Sequence, residues 1–114
     1  MNLLETQAQF EQLWFYSEGN PKPEGMRRTD NAFIVYFTAA WCKPCQKLDC
    51  DLLAAYAALQ GLTIFKCDAT VNDYTSGYCQ IRAFPTFVLY RPRQEVLRFQ
   101  SNNTEAVKDW LQSL

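Results

Sequence analysis

An α/β fold, with a central mixed sheet of four to five strands flanked by helices on both faces, is what this sequence predicts. Three observations predict it. Phe33-Ile34-Val35-Tyr36-Phe37 is a continuous apolar run, rich in β-branched and aromatic residues, as expected of a strand buried on both faces. Apolar residues recur at helical spacing on either side of it. Towards the end, two short strand-like runs, Phe87–Tyr90 and Val96–Phe99, flank the turn Arg91-Pro92-Arg93-Gln94. A strand–helix–strand unit continued by a hairpin makes a mixed sheet.

Each element has its own signal. Leu3-Leu4 can add a short edge strand. Thr6-x-x-Gln9 has the form of a capping box, and Phe10, Leu13 and Trp14 fall on one helical face behind it, so a helix is predicted over about 6–17. Ser17 to Asn31 collects Gly19, Pro21, Pro23 and Gly25 and reads as a long solvated loop. After the buried strand, Cys45, Leu48, Leu52, Tyr56 and Leu59 recur at helical spacing until Gly61 stops the helix. Leu62 to Cys67 is a further strand, and Thr70 to Gln80 a polar loop with a short helix. The last helix begins near Asn102 or Thr104 and carries Val107, Trp110, Leu111 and Leu114 on one face.

The chain of 114 residues fits one domain spanning 1–114, and its many aromatic side chains suffice for a core without metal or disulfide staples. A net charge of −1 gives no pointer to nucleic acid or to an acidic membrane surface. Histidine is absent, which removes the usual acid–base side chain and the commonest metal ligand. The first residues lack the basic and apolar regions of a secretory signal, and the longest apolar run, Ala32 to Cys42, is too short to span a bilayer. The expectation is therefore a cytoplasmic protein, or one from an organelle with a reducing interior. Asn102-Asn103-Thr104 matches a glycosylation acceptor, which has no meaning without a secretory route.

The chemistry lies in Cys42-Lys43-Pro44-Cys45, between a buried strand and a predicted helix. Cys42 is expected at the helix N-terminus, where free N–H groups and the helix dipole favour a thiolate. Cys45, one turn deeper, is expected to stay protonated until needed. Lys43 adds a positive charge, and Pro44 is tolerated because the helix interior has not begun. Such a pair supports thiol–disulfide exchange, with Cys42 attacking and Cys45 resolving. Half of a zinc site is the alternative, but Cys50, Cys67 and Cys79 are not spaced as a second pair, so no metal is expected. Cys67 reads as a small core residue. Cys50, counted on from Cys45 along one helix, turns away from the apolar stripe and is expected to be exposed, open to oxidation or to a bridge between two chains.

Ala40-Trp41-Cys42-Lys43-Pro44-Cys45 resembles the Trp-Cys-Gly-Pro-Cys site of thioredoxins, and Phe84-Pro85-Thr86-Phe87 resembles their cis-proline loop. The order of elements is similar as well, so the resemblance covers essentially the whole chain and implies a thioredoxin-like fold. It implies that Pro85 is cis beside the cysteines, and that Phe84, Pro85 and Thr86 form the backbone edge that binds substrate. Trp41 would cover the site and contact partners, and Lys66 would lie under the second cysteine and assist proton movement. It also implies a protein-disulfide reductase without a bound cofactor, with disulfide-containing proteins as substrates. A reductase or a low-molecular-weight dithiol would donate electrons. The expected state is a monomer, with a Cys50-linked dimer as an option.

The sequence departs from the family at defined places. Thioredoxins carry a buried acidic residue six positions before the first cysteine, and this chain has Tyr36. Tyrosine here is similar to tryparedoxins and nucleoredoxins, whose motif differs. Cys50 stands where thioredoxins have a helix-kinking proline, Lys43 replaces a glycine, and glycines are missing from the Arg91–Gln94 turn and near Gln100. Two other functions stay open on these grounds. One is a redox-inactive binding or scaffold module on the same fold. The other is an oxidase or isomerase, although those relatives usually carry histidine within the motif.

Overall fold

The structure, a computed structural model, describes residues 1–16 and 32–114. The loop expected over Ser17 to Asn31 lies outside the described residues. In chain order the elements are β1 (Asn2–Leu3), α1 (Gln7–Trp14), β2 (Phe33–Thr38), a 3₁₀ turn (Pro44–Lys47) and α2 (Cys50–Leu59). There follow β3 (Ile64–Asp68), α3 (Asp73–Tyr78), β4 (Thr86–Arg91), β5 (Gln94–Gln100) and α4 (Thr104–Gln112).

The strands form one five-stranded sheet in the order β1-β3-β2-β4-β5. β1 and β2 run parallel to β3, whereas β4 runs antiparallel to β2 and to β5. All six residues of β2 are buried, as its unbroken apolar run requires at the centre of a sheet covered on both faces. Alternation along the strands sorts the core into two layers. Phe33, Val35, Phe37, Phe65, Cys67, Val88 and Tyr90 pack with Phe10 and Leu13 of α1. Ile34, Tyr36, Ile64, Phe87 and Leu89 pack with Leu53 and Ala57 of α2 and with Val107 and Leu111 of α4.

Local signals hold at the helix ends. Thr6 caps α1 in a complete capping box with Gln9. Asn103 caps α4 by accepting from the Ala106 N–H. Gly61 ends α2 at φ 75°, with its N–H donating to the Ala58 carbonyl and the Leu62 N–H to that of Ala57, which satisfies the last carbonyls of the helix. In the β4–β5 turn Arg93 sits at φ 63° and its N–H donates to the Trp14 carbonyl at 2.8 Å, docking the hairpin on the end of α1.

The helix after the cysteines corrects the expectation. It is not continuous from Cys45 to Leu59. The 3₁₀ turn stops at Lys47, Leu48 is extended at φ −83° and ψ 136°, and Asp49 starts α2 afresh by accepting from the Leu52 N–H. Each new start resets the helical phase. The buried residues of α2 are therefore Leu53 and Ala57, while Leu52 and Leu59 from the expected stripe are 38% and 79% exposed. Asp49 followed by helix formers is a start signal that lies within the longer apolar spacing.

Candidate active site

Cys42 and Cys45 are joined by a disulfide, with their Cα atoms 5.4 Å apart. β2 delivers the chain to this point. Beyond its end the Cys42 N–H donates to the Ala39 carbonyl at 3.0 Å. Ala40 is held from two sides: its N–H donates to Thr70 Oγ1 at 2.9 Å, and its carbonyl accepts from Gln46 Nε2 at 3.2 Å. Both cysteines are only 4% exposed in this oxidised state.

Cys42 does not open an α-helix, contrary to expectation. It precedes a four-residue 3₁₀ turn with Pro44 at its first position, and α2 begins only at Cys50. So short a turn carries little macrodipole. The specific contribution is one N–H: that of Cys45 donates to Cys42 Sγ at 3.3 Å. A donor already directed at that sulfur favours the anion once the disulfide is opened.

Phe84–Pro85 is a cis peptide, and Pro85 is buried. Trp41 is 68% exposed and meets Phe84 edge to face, with ring centroids 5.6 Å apart. Trp41, Cys42, Lys43, Pro44, Arg82, Ala83 and Phe84 line one open, mainly apolar groove of about 510 Å³. It can seat an extended apolar segment beside the disulfide, flanked by the exposed cations Lys43 and Arg82. Thr86 does not join it. Its side chain is buried and its hydroxyl donates to the Ala83 carbonyl at 2.7 Å, so it braces the loop from within.

Beneath the 3₁₀ turn lies a second cavity, of about 180 Å³. Its lining includes Cys45 and Leu48 above, Tyr36 and Thr38 from β2, Lys66 and Asp68 from β3, and Cys50 from α2. Lys66 lines the cavity below Cys45. Tyr36 is 1% exposed, stacks on Phe87 at 4.8 Å and donates its hydroxyl to the Cys45 carbonyl at 3.4 Å. Burial pushes its pKa up to about 12. Cys50 is half-buried, packed against the second core layer, and its thiol pKa is raised first by that burial. The expected exposure rested on one continuous helix. A half-buried thiol is a poor position for a bridge to another chain.

Cys67 is fully buried as expected, with its pKa pushed up to about 11 by burial. Cys79 follows α3, is buried in the first core layer, and burial raises its pKa too. Among the described residues no group of three or more Cys, Asp or Glu gathers as metal ligands, and no helix is long and apolar enough to cross a membrane. Asp68 was missed in the sequence. Its signal is the alternation that puts it on the same face of β3 as Lys66.

Comparison with known proteins agrees with this geometry. The family model described as Thioredoxin matches residues 23–113. A thioredoxin of Ictalurus punctatus is 32% identical over 81 residues, covering 69% of this chain and 76% of that protein. A thioredoxin of Geodia cydonium is 28% identical and covers 93% of this chain and 90% of its own length. The X-ray structure of Fasciola hepatica thioredoxin superposes with a TM-score of 0.74 at 25% identity, covering 99% and 98% of the two chains. With a matching family model, a shared five-stranded fold and a paired Cys42–Cys45 motif, this chain belongs to the thioredoxin family and is a thiol–disulfide oxidoreductase.

Proposed function

We propose that residues 1–114 act as one domain that reduces protein disulfides, with Cys42 as the nucleophile and Cys45 as the resolving thiol. The observation that carries this reading is the Cys42–Cys45 disulfide beside the cis-Pro85 loop, with the Trp41–Phe84 groove alongside. In the reduced protein, Cys42 thiolate attacks one sulfur of a substrate disulfide. A Cys42–substrate bond forms, and the other substrate sulfur leaves as a thiolate. Cys45 then loses its proton and attacks Cys42 Sγ. The internal disulfide forms, and the second substrate sulfur leaves with the electron pair. Two electrons have passed from the protein to the substrate.

The groove supports a protein substrate over a small thiol, because its apolar lining matches an extended segment rather than a charged tripeptide. Trp41, Phe84 and Pro85 bind that segment, and Lys43 and Arg82 favour acidic neighbours on it. Electrons return from a reductase or a low-molecular-weight dithiol. No bound organic cofactor or metal is required. The protein works as a monomer in the cytoplasm. One relative, Thioredoxin-3 of Saccharomyces cerevisiae, is mitochondrial, so a reducing organelle is the second location to examine.

Trapping tests the assignment. In a Cys45→Ser variant, a disulfide-bearing protein substrate such as insulin is expected to stay linked to Cys42, as read by peptide mapping. Recovery of the mixed disulfide on Cys50 or Cys79 would overturn the assignment.

A further inference from the structure

The resolving step requires the Cys45 thiol to lose a proton, and position 36 does not offer an acceptor. Tyr36 is itself a donor to the Cys45 carbonyl, and a phenol buried this far stays protonated near neutral pH. The cavity below Cys45 offers another group. β2 and β3 are parallel and in register, with Tyr36 opposite Lys66 and Thr38 opposite Asp68. Side chains two residues apart share a face, so all four reach the cavity under the 3₁₀ turn. Among the described residues Asp68 is the one carboxylate in its lining. Its Oδ1 accepts the Thr70 N–H at 2.8 Å, which anchors the group at the end of β3. About 180 Å³ leaves room for a few waters at roughly 30 Å³ each.

We propose that Asp68 is the proton acceptor for Cys45, reached through water in the cavity that Tyr36, Lys66 and Cys50 also line. The proposal rests on the Cys42–Cys45 assignment above. The proton passes from Cys45 Sγ by way of water to the Asp68 carboxylate. The electron pair left on Cys45 forms the bond to Cys42 Sγ, and the Cys42–substrate bond breaks with its pair on the substrate sulfur. Asp68 then returns the proton to water. Lys66 lies beside it on the same strand face and lines the same cavity. Tyr36 and Cys50 face the same space as neutral groups, while Asp49, Asp51 and the chain's amino group also act on Cys50.

The test uses the reduced full chain and one equivalent of dithiobis(nitrobenzoate), followed by stopped-flow absorbance of the released thionitrobenzoate. Attack by Cys42 releases the first product, and resolution by Cys45 releases the second. Asp68→Asn is expected to leave the first phase unchanged and to slow the second about a hundredfold near neutral pH. The gap should close as pH rises past the ordinary thiol pKa of about 8.5. Asp68→Glu should restore most of the rate, which a merely structural role would not predict. The unsubstituted protein should show an extra acidic limb in the second phase as Asp68 takes a proton. Absence of that limb overturns the proposal however the variants fold, as does a second phase in Asp68→Asn with the original rate and pH profile. Slowing of both phases alike also overturns it. If the first phase does not arise at Cys42, the underlying assignment fails and this proposal with it.

Discussion

Placing aspartate at position 36, the family's buried acid, should damage this protein rather than improve it. Tyr36→Asp removes a ring that is 1% exposed and stacked on Phe87 at 4.8 Å. Truncating a buried aromatic costs about 3–5 kcal/mol, and the stacked pair accounts for about 1 kcal/mol of that. The hydroxyl bond to Cys45 is long at 3.4 Å, so its loss adds no more than about 1 kcal/mol. The new carboxylate would be desolvated. Lys66, the cross-strand neighbour, offsets part of its charge but cannot refill the ring's volume. A total near 4–6 kcal/mol is comparable with the whole stability of many domains, about 5–15 kcal/mol.

Urea unfolding of the oxidised protein, followed by tryptophan fluorescence, reads the effect. With a slope of about 1.5 kcal/mol/M the midpoint should fall by about 3–4 M. The loss should also depend on pH. Burial raises the aspartate's folded pKa above its unfolded value of about 3.9. The unfolded chain therefore releases that proton first, and stability falls as pH rises through the interval between the two values. The penalty is smaller near pH 4 than near pH 7. Tyr36→Phe is the control and should lose only about 1 kcal/mol. A Tyr36→Asp loss below about 1 kcal/mol with no pH dependence would refute the view that Tyr36 is sealed in the core.

Other expectations follow from the same packing. Leu53→Ala should cost about 2–5 kcal/mol, whereas Leu52→Ala should cost under about 1 kcal/mol; the reverse order in denaturation would restore the uninterrupted helix. Asp49→Ala should cost about 1 kcal/mol through loss of the cap on the Leu52 N–H, measured by thermal unfolding. Alkaline pH should weaken the fold. Cys67 is shifted from 9.0 to about 11 and Tyr36 from 10.0 to about 12, so the unfolded chain loses these protons first and stability drops from about pH 9 upward. A urea midpoint that stays flat from about pH 8 to 11 would contradict that. At mildly alkaline pH, iodoacetamide should modify the native reduced protein at Cys42, whose sulfur accepts the Cys45 N–H, before Cys67 and Cys79, whose thiol pKa values are raised, as read by mass mapping.

Much of this molecule was legible in the sequence where the controlling physics is local. Thr6 and Gln9 form a capping box because their separation alone lets each side chain reach the other's N–H. The apolar run of β2 could only be a central strand, and the hairpin of β4 and β5 was announced by the residues between them. Local reasoning failed between Cys45 and Leu52. There a competing cap at Asp49 broke a helix that apolar spacing alone joins into one. That one error misplaced Leu52, Leu59 and Cys50 together, because a helix that restarts carries a new phase.

The sequence by itself determined the fold class and the Cys42–Cys45 chemistry, written in adjacent residues, and its resemblance to thioredoxins implied the cis-proline loop and the substitution of Tyr36 for an acid. Only the tertiary structure decided what surrounds that chemistry. Trp41 and Phe84 meet in one groove, and Tyr36, Cys50, Lys66 and Asp68 meet beneath Cys45. Those meetings depend on the register of β2 against β3 and on where α2 restarts. The register is set by contacts between segments far apart in the chain, which no local spacing encodes, whereas α2 restarts at the local cap of Asp49.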